Sequence, residues 1–304
     1  MVLDLLWQWH VRLDVILVLA ALGGLYVRGW RRTRRRGHRG LAPRWRLLAY
    51  LTGLASLALA LLSPLDHLAE VLFTAHMVQH QMLIMVAPPL LLLGNPFPLI
   101  LWGLPGRLRY SVGGALTRSS RLRATWRFLT WMPVAGVLYT ASLWGWHLPA
   151  AYEAALHGRV VHDLEHLTFF GTAVLFWWPV VNPAPRLHRL TTGLQYGCRI
   201  AYLILATGLN TLLGAVLGLA EHVLYPSYAA APPLFDWSAL DDQAFGGGVM
   251  WSGGHMFLVA ILVLVARAMD AEERRAAVGP GALQPAERAA GSAEKGGARP
   301  PSIV

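Results

Sequence analysis

The chain has 304 residues, of which 55% are hydrophobic and only 14% are charged, and its formal net charge is +10. Because ordinary soluble domains carry about 25% charged residues, this composition indicates a protein whose surface faces lipid over much of its area. The basic residues fall in short stretches between long apolar runs, which is typical of membrane-protein loops and excludes a folded nucleic-acid-binding face. A single cysteine, Cys198, excludes an internal disulfide framework and a metal site built on several thiolates.

Seven stretches of the chain are apolar enough to cross a bilayer, whose hydrocarbon core is about 30 Å thick. In chain order they are residues 13–27, 47–62, 71–93, 128–146, 161–181, 199–220 and 248–266. The first of them matches a span better than a cleavable signal. Because backbone groups must be paired within lipid, the sequence predicts an all-α, polytopic membrane helix bundle of seven transmembrane helices in residues 1–270.

Two prolines interrupt the third stretch. Pro88 and Pro89 predict a kink or an end of the helix, because proline removes a backbone donor and clashes with the preceding turn. The segment GNPFP at residues 94–98 follows and leads to a short apolar run that ends at Trp102. This run either lies in the membrane interface or re-enters the bilayer.

The distribution of Lys and Arg predicts the orientation of the bundle. Of the 26 basic residues, all but Arg12 and Arg159 fall on one side when seven spans alternate across the membrane. The positive-inside rule places that side in the cytoplasm, with the N-terminus outside and the C-terminus inside. Residues 271–304 are rich in Ala, Gly, Pro, Glu and Arg, and we expect a disordered cytoplasmic tail there.

The histidines show the opposite bias. His38 and His188 fall in cytoplasmic loops, whereas all the others lie in outer loops or in the outer halves of spans. These others are His10, His67, His76, His80, His147, His157, His162, His166, His222 and His255. Histidine is therefore not used in this chain as a cytoplasmic cation.

Two histidine pairs at matching depth form the candidate site. His76 and His80 lie four residues apart near the outer end of span three, and the pair His162 and His166 has the same spacing at the outer start of span five. This spacing places both side chains of a pair on one helix face. Ionisable groups within a membrane usually serve a function, and imidazole is the commonest metal ligand among side chains. The pairs therefore predict a metal or cofactor site. The alternative is that each histidine is hydrogen-bonded to a carboxylate, such as those of Asp163 and Glu165, or to a backbone carbonyl.

Further candidate ligands lie near these pairs in the outer loops and spans. They are Met77, His147, Met250 and His255. Thioether and imidazole ligands together suit Cu(I), whereas carboxylate-rich sites suit harder ions. Methionine is also ordinary packing material, so the alternative interpretation of Met77 and Met250 is core packing.

Four stretches of sequence lie in order across most of the membrane core. They read HMVQHQMLIMVAPPLLLLGNP at 76–96, WGWHLPAAYEAAL at 144–156, HDLEHLTFFGTAVLFWWPVV at 162–181 and DQAFGGGVMWSGG at 242–254. Together they resemble the CtaG-type (Caa3-family) cytochrome c oxidase assembly factors, which are integral membrane proteins of bacterial respiratory membranes. The resemblance falls on His76, Gln79, His80, Pro88, Pro89, His147, Pro149, Tyr152, His162, Glu165, His166, Asp242, Gln243 and Trp251.

This resemblance implies a multi-pass, non-enzymatic assembly factor in the bacterial cell membrane. Its partners would be subunits of cytochrome c oxidase and the lipid bilayer, and its favoured role is to supply copper to the oxidase. On this basis we expect the four histidines of the two pairs to bind copper. The residues expected to support them are Gln79, Glu165, Asp242 and Gln243.

The same residues are compatible with two alternative functions. A haem protein would use histidines from two helices as axial ligands, although stacked haems need pairs much farther apart than four residues. A membrane zinc hydrolase would use His162, Glu165 and His166, which fit the inverted zinc-protease pattern H-x-x-E-H. A retinal protein is excluded, because its Schiff base needs a lysine in the bundle and the single lysine, Lys295, lies in the tail.

Overall fold

The structure is a computed structural model that describes Trp9 and residues 11–185, 194–231 and 237–277. Within these ranges the regular secondary structure is helical throughout, which confirms the all-α prediction. The helices, in chain order, are α1 Leu13–Arg35, α2 Arg44–Leu62, α3 Pro64–Val71, α4 Phe73–Leu93, α5 Pro96–Gly103, α6 Gly106–Arg118, α7 Ser120–Leu129, α8 Met132–Trp146, α9 Pro149–His157, α10 Arg159–Val181, α11 Leu194–Gly218, α12 Pro226–Ala230, α13 Ala239–Gly253 and α14 His255–Ala277.

Six helical segments are long and apolar enough to cross a membrane. They are α1, α2, α4, α10, Gln195–Gly218 within α11, and Ala239–Asp270, which joins α13 and α14. The span predicted at residues 128–146 is instead divided, since α7 ends at Leu129 and α8 covers only the 15 residues Met132–Trp146. At a rise of 1.5 Å per residue, α8 is about 22 Å long, which is shorter than the hydrocarbon core. The described residues therefore form a multi-pass bundle with six candidate spans.

Two helix ends differ from the predicted boundaries. Helix α1 continues through the basic segment to Arg35, because arginine is a good helix former and cations are favourable in a last helical turn. Helix α14 continues to Ala277, past the predicted boundary at Ala271. The predicted features that lie outside the described residues are His10, His188 and the tail segment 278–304.

Helix α4 is the central element of the bundle. In its apolar window 67% of the residues are buried, against 11% in the window of α1. It packs against α2, α3, α10 and α13. This position explains how a membrane span carries His76, Gln79 and His80, because polar side chains within a bilayer normally face the interior of a bundle.

A π-helical segment, Met82–Val86, precedes the two prolines of α4. The helix does not end at Pro88 and Pro89 but continues through both of them. Pro88 has no backbone N–H, so the carbonyl of Ile84 loses its usual helical partner. Nε1 of Trp177 in α10 donates to this carbonyl at 3.1 Å. A side chain from a neighbouring helix therefore satisfies one of the two backbone carbonyls that the prolines leave without a helical donor, as a lipid environment favours.

Glycines let α13 approach its neighbours closely. A Cβ atom on Gly247 would lie 2.4 Å from the backbone nitrogen of Gly218 in α11. A Cβ atom on Gly246 would lie 2.3 Å from the ring of Phe73, at the start of α4. Any larger residue would push these helices apart, which is why small residues are typical of helix interfaces in membranes.

Helix α5 packs antiparallel against the C-terminal half of α1. A Cβ atom on Gly29 would lie 1.7 Å from the carbonyl oxygen of Leu99, and one on Gly103 would lie 2.0 Å from that of Leu25. The two backbones are therefore in direct contact. The short apolar run after the GNPFP segment is a helix held on α1, at the basic end of the bundle.

Replacing Trp177 with phenylalanine removes the donor to Ile84 and keeps a buried aromatic ring. We expect the free energy of unfolding in detergent to fall by about 1–3 kcal/mol, because a buried carbonyl is left unpaired. Trp178→Phe is the matched control, since that side chain is also buried and its Nε1 has no hydrogen-bond partner among the described residues. Equal losses in the two variants, measured by denaturant unfolding, would contradict the role of Trp177.

Candidate metal centre

Four buried side chains converge near the N-terminal ends of α4 and α10. His76 and His80 extend from α4, and Glu165 and His166 extend from α10. One ligand atom from each side chain lies within 4.8 Å of the other three. None of the four residues is more than 6% exposed. The packing of the two helices therefore concentrates imidazole and carboxylate groups in the interior of the bundle, and we call these four residues the buried cluster.

The two histidine pairs form a ladder with two rungs. The outer rung is His76 and His162, whose ring centroids are 5.3 Å apart, and the inner rung is His80 and His166, at 5.5 Å. Along the helices, the rings of a pair lie 4.3 Å apart in α4 and 4.1 Å apart in α10. Glu165 approaches both rungs: Oε2 is 3.9 Å from Nε2 of His76, and Oε1 is 3.7 Å from Nε2 of His80. The supporting candidate Glu165 thus lies within the cluster itself, and His162 lies beside it.

His147 adds an imidazole beside the inner rung. It follows the last residue of α8, is 5% exposed, and its ring centroid is 6.0 Å from that of His80. Its Nδ1 lies 2.7 Å from the carbonyl oxygen of Leu143, which only accepts, so Nδ1 carries the proton. Nε2 then holds a free lone pair, which is the form in which neutral imidazole binds a metal.

Tyr228 sets the tautomer of His76. Its hydroxyl donates to the carbonyl of Ala69 at 3.0 Å and lies 2.8 Å from Nδ1 of His76. Because the hydroxyl proton is directed to Ala69, Nδ1 of His76 donates to the phenol oxygen, which leaves Nε2 unprotonated in the neutral ring. The hydroxyl of Tyr152, 3.0 Å away, completes the hydrogen bonds of this phenol. Burial raises the pKa of Tyr228 well above its usual value, so the hydroxyl keeps its proton.

The ligand atoms of these residues have no hydrogen-bond partner in the described part of the chain. The unpaired atoms are Nε2 of His76, Nδ1 and Nε2 of His80, Nε2 of His147, Nε2 of His162, both carboxylate oxygens of Glu165 and Nε2 of His166. Buried polar atoms are normally paired, and each one left unpaired costs about 1–3 kcal/mol. Each neutral imidazole offers one lone pair, and those of His76, His80 and His166 lie close to the Glu165 carboxylate, an arrangement that fits a bound cation.

The spacing of the donor atoms fits a transition-metal ion. With bonds of about 2.0–2.2 Å, the donors of a tetrahedral site lie roughly 3.3–3.5 Å apart. The distances of 3.7 and 3.9 Å from Glu165 to Nε2 of His80 and His76 are slightly longer, so modest side-chain rotation closes such a shell. Imidazole nitrogens suit copper, zinc, iron and nickel, and the added carboxylate is compatible with each of them.

Three further candidate ligands make other contacts. Met77 is fully buried and faces Gly246 of α13. The sulfur of Met250 accepts a hydrogen bond from Nε2 of Gln81 at 3.2 Å. His255 is exposed at the start of α14 and does not belong to the buried cluster. The donor atoms that the structure brings together are therefore nitrogen and oxygen, and the two methionines contribute to packing between α4 and α13.

Asp242, a supporting candidate, caps the N-terminus of α4. Its carboxylate accepts hydrogen bonds from the backbone nitrogens of Phe73 at 2.7 Å and Thr74 at 3.0 Å. A negative charge at this position also interacts favourably with the helix dipole. Asp242 thus determines where α4 begins, and so the height at which His76 and His80 lie.

The two glutamines expected to support the site hold loops and helix ends. Nε2 of Gln79 donates to the carbonyl of Ala60 at 2.8 Å and to Oδ1 of Asp66 at 2.7 Å. Oε1 of Gln243 accepts from the backbone nitrogen of Leu224 at 2.7 Å. Both side chains therefore support the site indirectly, by fixing the segments around it.

Sequence reasoning missed Tyr225 and Tyr228. The Tyr225 hydroxyl donates to the backbone carbonyl of His147 at 2.8 Å, and the Tyr225 ring stacks on Tyr152 with centroids 4.0 Å apart. Tyrosine near a membrane interface is expected as an ordinary belt residue, so neither residue carried a distinct signal. The one available cue was their spacing of three residues across Pro226, in the segment between α11 and α13.

A polar pocket, here called the outer pocket, opens beside the outer rung. Its volume is about 190 Å³. The polar residues that line it include Arg12, Asp66, Glu70, His76, His162 and Asp163. At its edge the Arg12 guanidinium forms ion pairs with Asp163 and Asp14. Sequence reasoning missed this pocket, because its residues come from three separate segments of the chain.

Comparison with known proteins shows which family the sequence of this chain matches. The chain matches the family model described as cytochrome c oxidase caa3 assembly factor (Caa3_CtaG) over residues 24–271. The chain belongs to this family. The match confirms the resemblance inferred from the sequence, and the matched range contains the whole buried cluster.

The relatives found by sequence are mycobacterial. Uncharacterized protein Mb0105 of Mycobacterium bovis and uncharacterized protein MT0111 of Mycobacterium tuberculosis are each 27% identical over 279 residues, or 89% of this chain. Uncharacterized protein ML1998 of Mycobacterium leprae is 24% identical over 280 residues, or 90% of this chain. The chain spans 40% of the length of each of these relatives. No solved structure matches the chain.

Replacing Asp242 with asparagine removes the negative charge that caps α4. We expect the free energy of unfolding to fall by roughly 1–2 kcal/mol, because the cap and its interaction with the helix dipole both weaken. Glu221→Gln is the control, since Glu221 is a carboxylate that is exposed to solvent and does not cap a helix. Denaturant unfolding in detergent measures the stability of both variants. An Asp242→Asn protein that is as stable as the original protein would contradict this role of Asp242.

Proposed function

We propose that this protein is a non-catalytic assembly factor of cytochrome c oxidase that binds copper at the buried cluster and supplies it to subunits of the oxidase. One observation carries the proposal: the ligand atoms of His76, His80, Glu165 and His166 lie together, buried and without hydrogen-bond partners in the described chain. Membership of the assembly-factor family supports the partner, since it links this chain to the oxidase. Copper is the cargo in this proposal and not a resident cofactor.

The chemistry of the cluster suits a copper ion that must be released again. Imidazole binds copper, and the tautomers of His76 and His147 direct an Nε2 lone pair inward while Nδ1 donates outward. Such outward hydrogen bonds orient metal-binding histidines and raise their basicity. Glu165 supplies a negative charge that compensates the cation in a buried environment. A site without thiolates holds Cu(I) less firmly than a cysteine site, because soft sulfur is its preferred ligand.

We further propose a seven-span topology with the N-terminus outside and the C-terminus in the cytoplasm. Helix α8 would be the seventh span, held in place by its packing on α10 and α11. The support for this orientation is the basic bias of the loops that the positive-inside rule assigns to the cytoplasm. The buried cluster then lies toward the outer side of a bacterial cell membrane.

The two alternative functions fit the geometry less well. The outer pocket of about 190 Å³ is smaller than the roughly 300–1,000 Å³ of typical ligand sites, so it leaves no room for a haem beside the histidines. A zinc hydrolase needs an open coordination position that water and substrate can reach. Glu165, the general base of that mechanism, is fully buried between the two rungs.

A double substitution of His76 and His80 by alanine tests the proposal. We expect purified protein to bind Cu(I), and the double variant to lose this binding and the ability to support oxidase assembly, because two of the three histidines of the buried cluster are removed. His255→Ala is the matched control, as this histidine is exposed and outside the cluster. Copper content measured by elemental analysis, together with oxidase activity in cells, gives the readout.

Three results would contradict the proposed function. One is purified protein that takes up no Cu(I); another is a double variant that still assembles active oxidase. The third is an absorption band typical of haem in the purified protein, which would favour the haem alternative.

Tyr228→Phe tests the hydrogen bond that orients His76. We expect the affinity for Cu(I) to fall about 10- to 100-fold, the usual effect of losing an outer partner of a metal ligand. Tyr139→Phe is the control, because the Tyr139 hydroxyl is buried and has no hydrogen-bond partner among the described residues. Competition with a chromophoric chelator measures both affinities, and equal values for the two variants would rule out the orienting role.

A further inference from the structure

The outer pocket connects the surface of the protein with the outer rung. His76 is only 1% exposed, yet it lines this pocket, and its Nε2 has no hydrogen-bond partner in the described chain. His162, the other member of the outer rung, also lines the pocket and also has an unpaired Nε2. Two histidines whose Nε2 atoms have no hydrogen-bond partner among the described residues therefore line an open, polar volume.

The charged residues of the pocket favour a cation over an anion. Asp66, Glu70 and Asp163 contribute carboxylates, and their negative charges act on His162. The opposing positive charges are Arg12 and Arg159. Arg12 is already engaged by Asp163 and by Asp14, which lies outside the pocket, so much of its charge is compensated. A small positive ion is therefore attracted into the pocket and meets imidazole nitrogen at its end.

The two rungs give such an ion a stepwise path inward. His76 belongs to both sites, because it lines the outer pocket and also contributes to the buried cluster. One helical turn separates it from His80, and the ring centroids of these two histidines are 4.3 Å apart. An ion held by His162 and His76 therefore reaches the inner rung by exchanging one ligand at a time. The path needs no redox step, since only coordination bonds break and form.

We propose that the outer pocket is the exchange port of the buried site. A copper ion binds there first to His162 and a carboxylate, passes to His76, and is then held by the buried cluster; release follows the same path in reverse. His162 is in this view a transfer ligand and not part of the resting coordination shell. The proposal rests on the proposed function, because it needs a metal ion that the cluster binds.

Arg12 regulates the port through its charge. The Arg12 side chain lines the pocket, and its guanidinium forms an ion pair with the Asp163 carboxylate. Removing the positive charge frees that carboxylate for a cation and reduces repulsion of the ion. Substitutions at Arg12 and Glu70 should therefore change the rate of copper uptake in opposite directions, which a general loss of stability would not do.

The test is the rate at which the full-length protein in detergent takes up Cu(I) from a chromophoric chelator complex. We expect Glu70→Gln and His162→Gln to slow uptake about tenfold, and Arg12→Gln to accelerate it several-fold, in line with known electrostatic steering effects. The amount of Cu(I) bound at equilibrium should stay at the level of the original protein in Glu70→Gln and Arg12→Gln. Glu221→Gln is the matched control, because Glu221 is an exposed carboxylate that does not line the pocket.

The outcomes separate the port from the proposed function. If the original protein binds Cu(I) but the three variants take it up at the original rate, the port is wrong and the proposed function stands. If His162→Gln abolishes binding at equilibrium, His162 is a resident ligand and the port is again wrong. If the original protein binds no Cu(I), both proposals fail together.

Discussion

The contact between α4 and α10 is the interaction on which the rest of the molecule depends. Near the C-terminal end of α10, Nε1 of Trp177 donates to the carbonyl of Ile84, which has no helical donor because Pro88 lacks a backbone N–H. Near the N-terminal ends of the two helices, the same contact brings the rings of His80 and His166 close together. Both contacts answer one constraint, that polar groups inside a bundle surrounded by lipid must find partners within the protein. The Trp177 contact satisfies this constraint with a hydrogen bond. At the histidine contact, both ring nitrogens of His80 and Nε2 of His166 have no hydrogen-bond partner among the described residues.

Contacts from several other segments of the chain hold α4 in place. Asp242 caps its first turn, and Tyr228 binds His76 one turn later. Gln79 ties the next part of the helix to the carbonyl of Ala60. Each of these contacts fixes α4 along its axis. Such precision matters at a functional site, because a displacement of about 1 Å is enough to spoil it.

The sequence predicted the elements that depend on local pattern. The spacing of His162 and His166 was sufficient to place both on one face of α10, because a helix repeats every 3.6 residues. Residues 128–146 were apolar enough for a span, but hydropathy does not report the break between α7 and α8. The role of Tyr228 was hidden for a different reason: its partners Ala69 and His76 are distant in sequence, and only tertiary packing brings them together.

Glu165 gives the strongest physical argument for a cation at this site. Its carboxylate is fully buried, and its ion-pair neighbours among the described residues are His76 and His80, each beyond hydrogen-bond distance. No described lysine or arginine lies within ion-pair distance of it, so the protein supplies no permanent counter-charge. An ionised carboxylate without a partner is costly in such surroundings, and a proton or a bound cation lowers that cost.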